Sequence, residues 1–99
     1  MSQALIEAPD TTLEEEQEKE RSLPWNVLLY NDNVHTVNEV VFQVQKATGV
    51  ALNVAFEITM EAHTKGRSVC YSGSHETCQK VAVILLEIKL FIEVVRAES

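Results

Sequence analysis

Apolar positions along this chain switch between two periods. After Leu23-Pro24, the run Trp25-Asn26-Val27-Leu28-Leu29-Tyr30 is short and β-rich, and reads as a first strand. From Val37 the period lengthens. Val37, Val40, Val41 and Val44 keep helical spacing as far as Ala47, and Gly49 closes the segment. Valine is a weak helix former, so this helix rests on its period and on its start, where Thr36 and Glu39 have the spacing of a capping box. A second helix is predicted from Leu52 or Asn53 to His63. Val54, Ile58 and Ala62 form one stripe of it, Ala55, Phe56 and Thr59 lie beside that stripe, and Gly66 ends it. Arg67 to Tyr71 alternates as a second strand. Ser72-Gly73-Ser74 predicts a turn, with Ser74 as N-cap of a third helix whose core stripe is Val81, Leu85 and Ile88. Phe91 to Val95 alternates enough for a third strand.

The order β-α-α-β-α-β predicts an α+β fold, a small three-stranded sheet with three helices on one face. A crossover through the third helix makes the second and third strands parallel. The first strand then fits between them, antiparallel to both.

Charge separates the chain into two parts. Residues 1–22 carry seven acids against Lys19 and Arg21, a net −5, without an aromatic residue. Such a segment buries too little surface to offset the entropy of ordering, so a flexible acidic arm is expected over 1–22 and a folded domain over 23–99. The domain carries only −2. A total of −7 argues against nucleic-acid binding, which needs a basic face. No apolar run approaches the length of a membrane span, and no basic residue or apolar core precedes Lys19, so neither a membrane segment nor a secretory signal is expected. Cys70 and Cys78 lack C-x-x-C spacing and predict reduced thiols in a cytoplasmic protein. His35, His63, His75 and the two cysteines lack zinc spacing, so no metal and no cofactor is expected.

The candidate chemistry lies at the junction NDNVHTVNEVV, residues 31–41. Asn and Asp end strands in Asx turns, and that is one reading of Asn31-Asp32-Asn33. The other treats Asn31, Asp32 and His63 as three acceptors: an amide oxygen, a carboxylate and an imidazole lone pair. Three converging acceptors suit an ammonium group, which has three donors and no acceptor. His63 near a helix C-terminus is equally read as a partner of the helix dipole.

The same stretch, followed by EAHTKGRSVC at 61–70, resembles the ClpS family of protease adaptors. That family usually shows N-D-D-x-T-P-M-E-F-V and then V-H-x-x-G-x-A-x-C, and the spacing between the two motifs matches here without a gap. The resemblance implies a βααβαβ fold with a flexible N-terminal extension. It implies a binding module, not an enzyme, acting as a monomer. The module takes substrate proteins with a bulky apolar first residue (N-degrons) and delivers them to a Clp-family AAA+ unfoldase. On this resemblance Asn31, Asp32 and His63 hold the α-amino group, with Asn33 and His35 beside them. Val37, Val40, Thr59 and Ala62 fall on the side-chain pocket, and Lys80 and Glu76 on the unfoldase-facing surface. Asn33 stands where a second acid is usual, His35 where a small Thr is, and Val37 where a Met is. The last change implies a wider pocket. A ribosomal-stalk-like interaction domain would share the order of elements but would use a helix face, with no need of Asn31, Asp32 and His63 together. A regulator that binds the unfoldase alone is the other alternative.

Overall fold

The computed structural model describes residues 24–97. Along them run β1 (Trp25–Tyr30), α1 (Val37–Thr48), α2 (Leu52–Lys65), β2 (Arg67–Gly73), α3 (His75–Leu86) and β3 (Ile92–Arg96). The sheet has the order β2-β1-β3, with β1 central and antiparallel to both neighbours. This is the α+β arrangement that the crossover through α3 requires. The arm expected over 1–22 lies outside the described residues. No helix among the described residues is long and apolar enough to cross a membrane.

Alternation along β1 turns Val27 and Leu29 inward, where both are fully buried. They meet Val40, Val41 and Val44 of α1, Ala55 and Ala62 of α2, and Cys78, Val81 and Leu85 of α3. Burying each Val or Leu side chain of this set is worth about 1.5–3 kcal/mol. Between Val27 and Leu28 the register with β2 slips, so that Val27 faces Tyr71 and Leu28 faces Val69, leaving Cys70 as the bulged residue. Cys70 is buried, and desolvation pushes its thiol up to about 12, which leaves it inert as a nucleophile. Both cysteines are free thiols.

Local signals set most of the boundaries. Thr36 caps α1 through a full capping box: its Oγ1 accepts from the Glu39 N–H at 3.1 Å, and the Glu39 carboxylate accepts from the Thr36 N–H at 2.8 Å. Gly49 and Gly66 end α1 and α2 in the left-handed region, and Ser74 caps α3. Three details differ from the sequence-based expectation. The buried stripe of α2 is Ala55, Thr59 and Ala62, whereas Val54 is 37% exposed. Small side chains let α2 pack closely on its neighbours, and the Thr59 hydroxyl is satisfied inside by donating to the Ala55 carbonyl at 2.8 Å. β2 continues through Ser72 to Gly73, because its pairing with β1 continues to Trp25. α3 stops at Leu86 and leaves Ile88 in a turn, in which Lys89 has φ 60°, so β3 begins one residue later than expected.

Candidate functional site

β1 runs out at a three-way junction. The Tyr30 N–H donates to the Phe91 carbonyl at 3.0 Å, tying the strand to the approach of β3. The Asn31 N–H donates to the Gly66 carbonyl at 2.9 Å, tying it to the end of α2. Gly66 can serve there because φ 96° suits only glycine well, and its own N–H closes α2 on the Ala62 carbonyl. The same termination places His63 in the last turn of α2, beside the start of the loop.

Within that loop Asp32 uses its two oxygens differently. Oδ1 accepts from the backbone N–H of Val34 at 2.6 Å and of His35 at 3.0 Å, which is an Asx turn leading into the capping box. Oδ2 faces the imidazole of His35, with Nδ1 at 2.5 Å. The Asp32 side chain is 5% exposed and that of His35 17%, so the pair is shielded from bulk water. Burial pushes the Asp32 carboxyl up. The backbone N–H groups of His35 and Val34 and the His35 ring together outweigh burial, and the net shift is downward. The His35 pKa is raised, chiefly by the bond to Asp32. Burial opposes that rise, and the Asp32 charge, the Ile88 backbone and Glu39 add to it.

A cavity of about 80 Å³ opens against this pair, lined by Tyr30, Asn31, Asp32, His35, Val37, Val40, Thr59 and His63. β1, the loop that follows it, α1 and α2 all contribute side chains. Asn31, Asp32, His35 and His63 give it polar lining. Val37 and Val40, one helical turn apart on α1, supply apolar wall, and Thr59 contributes from α2. The three proposed acceptors thus share one cavity. So do His35, Val37, Val40 and Thr59. Asn33 does not line it and lies exposed in the loop. Ala62 does not line it either; it is buried in the core. Tyr30 was not singled out from the sequence. Its place as the last residue of β1, next to Asn31, was the available signal, and its hydroxyl donates to Glu93 at 2.6 Å.

Lys80 and Glu76 sit apart from the cavity, on α3. They form an exposed pair at 3.8 Å, one helical turn apart, a geometry worth only a few tenths of a kcal/mol. Their side chains project into solvent, 73% and 81% exposed, and are available to a partner. Among the described residues no group of three or more His, Cys, Asp and Glu side chains could hold a metal ion.

Comparison with known proteins places this geometry in context. Residues 20–89 match the family model described as ATP-dependent Clp protease adaptor protein ClpS. The ClpS adapter of Streptomyces coelicolor is 33% identical over 61 residues, which cover 62% of this chain and 64% of that protein. The ClpS adapter of Corynebacterium glutamicum is 29% identical over 73 residues, covering 74% of this chain and 73% of its own length. The chain therefore spans slightly less than two thirds of the Streptomyces relative. The solved structure of Agrobacterium tumefaciens ClpS2 bound to L-phenylalaninamide superposes with a TM-score of 0.70, covering 75% of this chain and 96% of that one. Its sequence identity is 15%, so that likeness is one of fold.

Proposed function

Because the chain belongs to the ClpS family of Clp protease adaptors, we propose that it binds proteins by a free N-terminus with a bulky apolar first residue and hands them to a Clp AAA+ unfoldase. The observation that carries this is one cavity lined both by the acceptors Asn31, Asp32 and His63 and by the apolar Val37 and Val40. A chain N-terminus has a pKa of about 7.7–8.0 and is mostly an ammonium at neutral pH. Charge-assisted bonds from that ammonium to shielded acceptors are worth about 1.5–3 kcal/mol each. The first side chain would lie along Val37, Val40 and Thr59, while His35 stands beside the amino group. The phenylalaninamide bound to the Agrobacterium protein belongs to the same chemical class, a free α-amino group next to a benzyl side chain. No bond is made or broken in such a role. Delivery would use the exposed Lys80 and Glu76 as contacts with the unfoldase and the acidic segment 1–22 as an additional element. The buried free thiols Cys70 and Cys78 suit a reducing compartment such as the cytoplasm.

The test is a titration with peptides identical except for their first residue. Leu, Phe, Tyr or Trp at that position should bind, and Ser or Asp should not. Equal binding of all six would remove the apolar wall from recognition. One observation favours a second reading, a regulator of the unfoldase that takes no substrate: the carboxylate of the cavity is already paired with His35. The same titration separates the two, since a pure regulator binds none of the peptides.

A further inference from the structure

We propose that His35 is a built-in competitor for the amino-group site, so that an N-terminal ligand binds with release of a proton from the imidazole and gains affinity as pH rises. This rests on the function proposed above. The argument starts from the lone pairs of Asp32. A carboxylate has about four acceptor positions. Oδ1 spends its share on the backbone N–H groups of Val34 and His35, at 2.6 and 3.0 Å, and the turn needs both. Oδ2 remains for a ligand, and His35 Nδ1 already lies 2.5 Å from it. An incoming ammonium therefore shares Oδ2 with the ring. While the ring is charged, the pair is neutral overall and presents a cation to a cation. Once the ring is neutral, with its hydrogen on Nδ1, it still donates to Asp32 and the full carboxylate charge faces the ligand.

The surroundings assign the proton release to His35. Asp32 keeps its charge, because its pKa is lowered. Glu39 on α1 is held as a capping group by the Thr36 N–H. Tyr30 on β1 donates its hydroxyl to Glu93 on β3. The turn after α3 presents the Ile88 backbone to the ring, with Lys89 next in the chain. His63 on α2 is the other imidazole on the cavity wall. A variant at His35 leaves His63 in place, so the difference between the two proteins isolates His35. The bond to Asp32 first, then the Asp32 charge, the Ile88 backbone and Glu39, hold the His35 pKa above its ordinary value against the opposing effect of burial. Linkage then requires reciprocity: by the factor that protonation weakens the ligand, the ligand weakens protonation.

The experiment measures affinity for a His-free peptide beginning with Leu, from pH 5.5 to 8.5, in the wild type and in His35→Gln, which keeps a neutral donor beside Asp32. Wild-type affinity should rise at least about fivefold from pH 5.5 to its optimum. His35→Gln should bind more tightly than wild type at pH 5.5 and lose that advantage by pH 8. In the wild type, NMR titration of the His35 ring should show its pKa falling when the peptide is added. His35→Thr provides a second variant without an imidazole, its hydroxyl a neutral donor on a shorter side chain, and should show the same advantage over wild type at pH 5.5 and its loss by pH 8. A flat wild-type profile, a His35→Gln profile that tracks it, or an unmoved His35 titration overturns the competitor role alone. Absence of binding by every protein at every pH overturns both that role and the function on which it rests.

Discussion

At the junction the two oxygens of Asp32 have different partners. Oδ1 builds the Asx turn, Oδ2 pairs with the His35 ring, and Asp32 as a residue lines the cavity. Removing the whole side chain would break both, so Asp32→Asn is the informative change: it keeps an oxygen for the backbone and removes the charge. It should weaken binding of a Leu-initiated peptide by tenfold or more, about 1.4 kcal/mol, with a smaller effect on folding. A smaller loss, measured by titration, would make Asp32 a turn residue only. Val37 carries a second prediction at this scale. A β-branched first residue needs width near its backbone, and Val37 leaves more of it than Met. Val37→Met should raise the preference for Leu over Ile at position one by about 1–3 kcal/mol, the worth of a methylene in such a pocket. An unchanged ratio of affinities would mean that other groups, such as His35, set the width. Six of the residues singled out within the two sequence motifs line the cavity, and Thr59, just before the second motif, lines it too, because both motifs sit at chain positions fixed by local chemistry. Asn33 and Ala62 do not: which way each side chain points depends on packing around it, and motif spacing is silent on that.

At the scale of the element, caps were the most readable feature. Thr36 with Glu39, Gly49, Gly66 and Ser74 announce helix ends through side-chain and φ chemistry that needs no distant partner. The buried face of α2 was not readable, because Ala55, Thr59 and Ala62 win their place by being small against neighbouring elements, while the more apolar Val54 stays outside. The length of β2 was equally hidden: Ser72 and Gly73 look like a turn, and only pairing with Asn26 and Trp25 keeps them in the sheet. The capping box borders the site, since it begins one residue after His35. Thr36→Ala should cost about 1 kcal/mol of stability, within a range of 0.5–2, read as a lower midpoint in urea at unchanged slope. No shift in the midpoint would mean that the packing of α1, with Val40, Val41 and Val44 buried, holds the helix start without its cap.

For the whole molecule, strand order followed from the crossover rule, and it fixes where the cavity lies. β1 is central, so its end is held from both sides, by Phe91 before β3 and by Gly66 after α2. The acidic segment 1–22 precedes β1 in the sequence. Extended, it has a reach of about 3.3–3.6 Å per residue. A chain starting near Ser22 should fold and bind peptide as the full chain does, yet deliver substrates poorly to the unfoldase; undiminished degradation of a Leu-initiated substrate would exclude a role for the segment in delivery. The central claim, that the cavity at Asn31, Asp32 and His63 holds a free α-ammonium, is tested most directly by one comparison. A peptide beginning with Leu or Phe is titrated at neutral pH beside the same peptide acetylated at its N-terminus, which removes the charge and two donors. An ammonium site predicts binding of the free peptide and at least a tenfold loss on acetylation, and equal affinity for the two would contradict it.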